Sequence, residues 1–166
     1  MAAGNTYVAI AEQTLGSAAA SVTFSSIPGT YTDLVLIANT GDTTNAGIYM
    51  QFNGDTATNY SYTRLTGDGS TATSQRSSNT AKTLVMGASI AIPSTVTGMF
   101  TLNIMNYSNT TTYKTTIGNE SIASGGFVAK AFLWRSTAAI SSILLADDGG
   151  NLLAGSTFSL YGIAAA

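Results

Sequence analysis

The sequence contains no cysteine and no histidine. Without cysteine there is no disulfide and no thiolate metal site. Without histidine, the commonest general base and the commonest metal ligand are gone, and any Ser-His-Asp triad with them. Charge is scarce as well. Asp, Glu, Lys and Arg make up 8% of the 166 residues, against about 25% in ordinary soluble domains. Six basic residues and a net charge of −2 give little to neutralise a run of phosphates, so nucleic acid is not an expected partner. No apolar run approaches the roughly 18 residues of a membrane-spanning helix, so no membrane partner is expected either. The opening MAAGNTYVAIAEQTLGSAAA has no basic region, and Glu12, Gln13 and Thr14 interrupt its apolar stretch. It does not read as a signal peptide.

What is present is apolar and hydroxylic. Hydrophobic residues are 45% of the chain, with eight Tyr and six Phe, which argues against disorder. A chain of 17.0 kDa has the size of one domain and should expose about 7,700 Å² when folded. Its solubility must come from Thr, Ser and Asn. So neutral a coat suits a protein that is covered by partners in an assembly.

The dominant period is two. Strands are expected at Tyr7–Thr14 with Val8 and Ile10 on one face, at Ala20–Phe24, at the continuous run Leu34–Ala38, and at Ile48–Phe52. Asn53-Gly54-Asp55 closes the last of these with a strong turn signal. Tyr60, Tyr62 and Arg64 share one face of the next strand, opposite Ser61, Thr63 and Leu65. The polar stretch from Gly67 to Asn79 reads as a loop. Further strands are expected at Lys82–Ile92 (ended by Pro93 and Ser94), Phe100–Met105, Tyr113–Ile117, Phe127–Arg135, Ile140–Leu145 and Thr157–Ile163. The best helical candidate is a short turn at Ser136–Ala139. This pattern predicts one all-β domain over residues 1–166, with an N-terminal strand or arm over about 1–16. Its architecture is an antiparallel, jelly-roll-like β-sandwich, with an up-and-down β-barrel as the alternative.

Chemistry is thin. Asp55 and Asp68 flank one strand and could in principle pair across a cleft as glycosidase carboxylates do. Asp147 and Asp148 are adjacent and read as surface hairpin residues. A hard-oxygen calcium site is conceivable at the Asn53 and Asp68 turns, but ordinary Asx-turns explain both. Lys130 sits amid Val128, Phe132 and Trp134, and reads as a lysine whose head snorkels to solvent or to an interface. No catalytic, cofactor-binding or metal-ligating residue is assigned, and no cofactor is expected. The tyrosines, Tyr60 and Tyr62 in particular, are candidates for a glycan platform or for interface anchors.

Three segments together carry a resemblance: YTDLVLIAN from Tyr31, YMQFNGDTATNYSYTRLTGDGS from Tyr49, and FLWRSTAAISSILLADDGGNLLAGSTFSLYGI from Phe132. The FNGDT turn followed by NYSY, the LW strand and the closing AGSTFSLYGI resemble small structural proteins of tailed bacteriophages, over nearly the whole chain. The resemblance implies a non-enzymatic virion protein. The expected role is a capsid decoration (cement) protein on the outer surface of the head, contacting the major capsid protein and itself as a homotrimer. The alternative is a tail- or head-fibre module that binds host-surface glycan. Candidate capsid contacts are Tyr7 in the arm and Asp68, Gln75 and Arg76 in the polar stretch.

Overall fold

Alternating apolar and polar side chains, dense in β-branched residues, favour extended backbone. The computed structural model describes residues 6–87, 97–122 and 125–164 and contains twelve strands and no helix among them. In chain order they are β1 (Tyr7–Thr14), β2 (Ser21–Phe24), β3 (Asp33–Thr40), β4 (Ile48–Phe52), β5 (Tyr60–Gly67), β6 (Ala72–Thr80), β7 (Thr83–Met86), β8 (Gly98–Met105), β9 (Lys114–Ile122), β10 (Gly126–Trp134), β11 (Ile143–Asp147) and β12 (Thr157–Ile163). Residues 1–5 of the expected arm lie outside the described residues. So do Ile90, Pro93 and Ser94 at the end of the expected Lys82–Ile92 strand.

The strands form two antiparallel sheets. The larger runs β1-β12-β3-β8-β9-β10-β5-β6, the smaller β2-β11-β4-β7. The chain moves repeatedly from one sheet to the other: β1, β3, β5, β8 and β12 lie in the large sheet, and β2, β4, β7 and β11 in the small one. This is a jelly-roll-like β-sandwich rather than a closed barrel. Its surface of 7883 Å² is close to the value expected from mass.

The core lies between the sheets. Leu34, Leu36, Phe100, Leu102, Ile104, Phe158 and Leu160 from the large sheet meet Val22, Phe24, Met50, Phe52, Ile143 and Leu145 from the small one. Loops complete the cover. The Tyr31 ring lies on Gly162 of β12, occupying the space a Cβ would need. At the end of β4, Asn53 (φ 52°) and Gly54 (φ 67°) make the turn, and Asp55 N–H donates to Phe52 O at 2.9 Å. Two positive φ values in succession are what the Asn-Gly pair supplies at low cost.

Several expectations are corrected. The polar stretch after Gly67 is largely a strand, β6, paired along β5 from Gly67↔Ala72 to Tyr60↔Thr80. It is an edge strand with no buried position, so no apolar alternation marks it. Ser136–Ala139 is not helical. Asp147 is buried at the end of β11 rather than exposed in a turn, and burial and the nearby Asp42 charge raise its pKa. The strand expected at Tyr113–Ile117 is β9, which starts at Lys114 and runs on to Ile122, with Lys114, Thr116, Gly118, Glu120 and Ile122 inward and Thr115 and Ile117 outward.

Lys130 is corrected most sharply. It points into the sandwich and is 4% exposed. Its Nζ forms an ion pair with Glu120, itself fully buried, and donates to Val85 O at 3.0 Å. Arg64 stands opposite Lys130 across the β5–β10 ladder and reaches Gln75 on β6. Desolvation pushes the Glu120 pKa up, against the pull of Lys130, and pushes the Lys130 pKa down, against the pull of Glu120. Such pairs cost much when halved and little when replaced whole. Lys130→Met should lower stability by about 3–5 kcal/mol, and Glu120→Gln with Lys130→Met should recover most of it. Urea midpoints at unchanged m-value test this. A single variant with the wild-type midpoint would show that the pair is not sealed in the core.

Candidate functional site

In the large sheet, strand register fixes which side chains share the outward face. One row across it reads Glu12, Ser159, Ile37, Thr101, Asn119, Ala129, Leu65, Ser74. The next reads Ala9, Tyr161, Val35, Asn103, Ile117, Ala131, Thr63, Arg76. Met99 and Phe127 belong to the row on one side of these, Tyr7, Met105 and Leu133 to the row on the other. The solvent side of an antiparallel sheet is ordinarily polar. Here Leu65 is 61% exposed, Ile117 56% and Phe127 50%. Every large hydrophobic that is exposed among the described residues lies on this face or, for Tyr113, just beyond the end of β9; none lies on the small sheet.

Charge is confined to the borders. Glu12 lies on edge strand β1 and Arg76 on edge strand β6. Asp33 starts β3, where its carboxylate accepts the Asn106 N–H at 2.7 Å. Between them the face is apolar, amide and hydroxyl. Its relief is shallow: hollows of about 450, 450 and 240 Å³ lie among β9, β10, β5 and β6, with Ala129 and Ala131 among their walls.

The residues singled out in the sequence are distributed differently. Tyr7 stands on the β1 border, edge-on to Tyr161 with ring centroids 6.3 Å apart. Asp68, Gln75 and Arg76 sit at the other border, in the β5–β6 hairpin. Seven strand spacings, about 34 Å, separate the two groups, so they do not form one site. Gln75 faces inward to Arg64, and Arg76 faces outward opposite Thr63. The Asp68 carboxylate is occupied by its own turn. It accepts Ser70 N–H at 2.9 Å, Thr71 N–H at 2.6 Å and the Thr71 hydroxyl at 2.7 Å. These bonds hold its pKa well below the usual carboxylate range.

Tyr60 and Tyr62 do not form a joint platform: the first is buried, and the second is half-buried beside a hollow it lines with Ser77, Thr80 and Leu84. Tyr60 is 1% exposed. Its hydroxyl accepts Phe52 N–H at 2.9 Å and donates to Asp55 O at 3.3 Å, and its ring stacks on Trp134. Burial pushes its pKa up to about 12. Tyr62 is half-buried on the inward side, with the Arg64 guanidinium 5.5 Å from its ring centroid. Asp55 and Asp68 lie at opposite ends of β5, roughly 25 Å apart along the strand, and cannot act as a pair. Asp55 instead accepts the Trp134 Nε1–H at 2.7 Å and the Asn59 amide at 2.9 Å. Burial works to raise its pKa, but those two bonds and the Ala57 N–H outweigh it and hold it below the usual value.

The apolar face itself was not read from the sequence. Its signal is a strand that is apolar on both sides apart from Lys130: Phe127, Ala129, Ala131 and Leu133 alternate with Val128, Lys130, Phe132 and Trp134. No family model and no curated protein matches the chain. Among solved structures, galectin LEC-6 from Caenorhabditis elegans aligns over 98% of this chain and 99% of its own, at 9% identity and a TM-score of 0.37. Exo-inulinase from Aspergillus awamori aligns over 95% of this chain and 29% of its own, at 14% identity and a TM-score of 0.37. Similarity at that level carries no functional argument, and the β-sandwich assignment rests on the two sheets themselves.

Two outcomes follow from the tyrosine and carboxylate positions. Tyr60→Ala should cost about 3–5 kcal/mol, as for other buried aromatics, whereas Tyr62→Ala should cost clearly less; thermal melts compare them. Because the Asp55 pKa is depressed on folding, its contribution is complete above the ordinary carboxylate range and fades as pH falls through it toward the lower, folded value. Asp55→Asn should therefore flatten the acid limb of stability against pH, read from urea midpoints between pH 2 and 6. An unchanged acid limb would remove Asp55 from that role.

Proposed function

We propose that the chain is a non-enzymatic structural subunit of a phage virion, a decoration protein that sits on the outer surface of the capsid and clamps neighbouring major capsid subunits. One observation carries the structural part of this reading: the apolar, nearly uncharged outward face of the large sheet. Large exposed apolar side chains gathered on one sheet face, among hydroxyls and amides, point to a contact with protein. The low overall charge points the same way, since little else would keep free monomers apart. The virion itself is supported by the resemblance of the three sequence segments.

The β5–β6 hairpin is the proposed contact with the shell. β6 is a nine-residue edge strand that pairs, among the described residues, along β5 alone, the arrangement to which another chain adds a strand. Asp68, Gln75 and Arg76 lie along this hairpin. Several linked weak footholds of this kind would raise retention by about 10²–10⁴ over one. The glycan-binding alternative finds no support in Tyr60 and Tyr62, whose rings are turned inward.

The decisive measurement is the copy number of the chain in purified virions, by quantitative mass spectrometry against the major capsid protein. Hundreds of copies, in simple ratio to the shell protein, are expected. A few to a few tens would move the protein to the tail or fibres. Absence from the virion would end the structural reading.

A further inference from the structure

The outward face of the large sheet has an area, a relief and a charge placement that together describe one occupant. Eight strands about 4.8 Å apart span roughly 34 Å, and four outward residues per strand span about 20 Å. The product is about 700 Å², within the roughly 600–1,000 Å² per partner of a standard stable interface. The relief alternates within the one surface. Leu65, Ile117 and Phe127 stand up, and beside them Ala129 and Ala131 wall hollows. Ile37 on β3 shares the row of Ala129, so a copy laid on with the strand order reversed brings Ile37 onto the hollow beside Ala129.

Charge selects the orientation. Two such faces can be related by a two-fold axis across the strands or along them. Across the strands, β1 would lie over β1, and Glu12 would meet Glu12 while Arg76 met Arg76. Along the strands, the order is reversed and β1 lies over β6, so Glu12 approaches Arg76 of the other copy at both borders. The two residues lie one row apart on opposite edge strands. Either arrangement leaves the strands of the two sheets close to aligned, the common way sheets stack at about 10 Å, so charge alone selects between them. The apolar centre opposes no like charges in either case.

We infer that the occupant is a second copy of this chain, packed face to face through the large sheet about a two-fold axis parallel to the strands. This deepens the structural-subunit reading above: the β5–β6 hairpin edge stays free for the shell, and each clamping unit carries two such edges. Contact of one patch with its own copy closes at two subunits, in place of the trimer expected from the sequence.

The test uses the full chain in solution. Light scattering coupled to size exclusion, from about 1 to 100 µM, should give twice the 17.0 kDa chain mass. Ile117→Glu and Leu65→Glu should each weaken the dimer about 100-fold or more, because each buries an unpaired carboxylate in the contact, Ile117 beside the axis and Leu65 over β12 of the other copy. Thr23→Glu, on the small sheet, should leave the mass unchanged, and circular dichroism should show all three variants folded. Glu12→Arg or Arg76→Glu alone should weaken association about two- to fivefold, as border ion pairs do. The double charge swap should restore it. A monomer throughout the range, a trimer, or a dimer indifferent to Ile117→Glu and Leu65→Glu overturns the inference. A dimer that the double swap fails to restore overturns the direction of the axis. A monomer present in virions at hundreds of copies would sink the dimer while leaving the decoration reading standing, with the face then given to the capsid protein.

Discussion

Four strands cannot cover eight. The small sheet spans about 14 Å across its strands and the large one about 34 Å, and the rest of the molecule accommodates that mismatch. Where the sheets oppose each other, the core is dry and aromatic, as at Phe24, Phe52, Phe100 and Phe158. Where the small sheet ends at β7, the inward face of β5, β9 and β10 turns polar. Lys130, Glu120 and Arg64 gather at that boundary, and Lys130 reaches the backbone carbonyl of Val85 on the last small-sheet strand. Beyond it, β6 has no sheet above it and buries nothing fully.

The same mismatch explains the two kinds of surface on the large sheet. Its inward side is filled by the small sheet and by loop anchors such as Tyr31, Tyr107 and Ile140. Among the described residues no element covers its outward side, yet β3 and, apart from Lys130, β10 carry apolar residues on both sides. A fully buried strand reads as a continuous apolar run. Leu34–Ala38 fits that rule in part: Val35 is buried on the outward side between Tyr161 and Asn103, while Ile37 on the same side is exposed. β10 follows the same rule with its outward set still open to water.

Much of this was legible from period alone. Val22 with Phe24, Ile48 with Met50 and Phe52, and Phe100 with Leu102 and Ile104 lie inward as their alternation requires. The Asn53-Gly54 turn was legible because its chemistry is local. What was not legible depended on partners distant in sequence. Lys130 looked like a surface lysine because nothing in its own strand shows Glu120 on the next. β6 was hidden because an edge strand exposed on both sides has no burial to imprint a pattern. The buried side of β9 was not legible because its inward row carries Lys114 and Glu120, a composition that usually belongs outside. The interaction face was missed for a related reason: it emerges only when the register of eight strands aligns residues more than a hundred positions apart.

Trp134 is the one tryptophan of the chain, wedged between Phe52 and Tyr60 with its indole N–H on Asp55. It belongs to the interior layer, on the far side of the backbone from Leu65, Ile117 and Phe127. The molecule thereby carries a built-in fluorophore that reports on the integrity of the sandwich and is insulated from whatever covers the sheet outside. Folding and assembly, often entangled in one optical signal, are here spatially divided by the thickness of a single β-sheet.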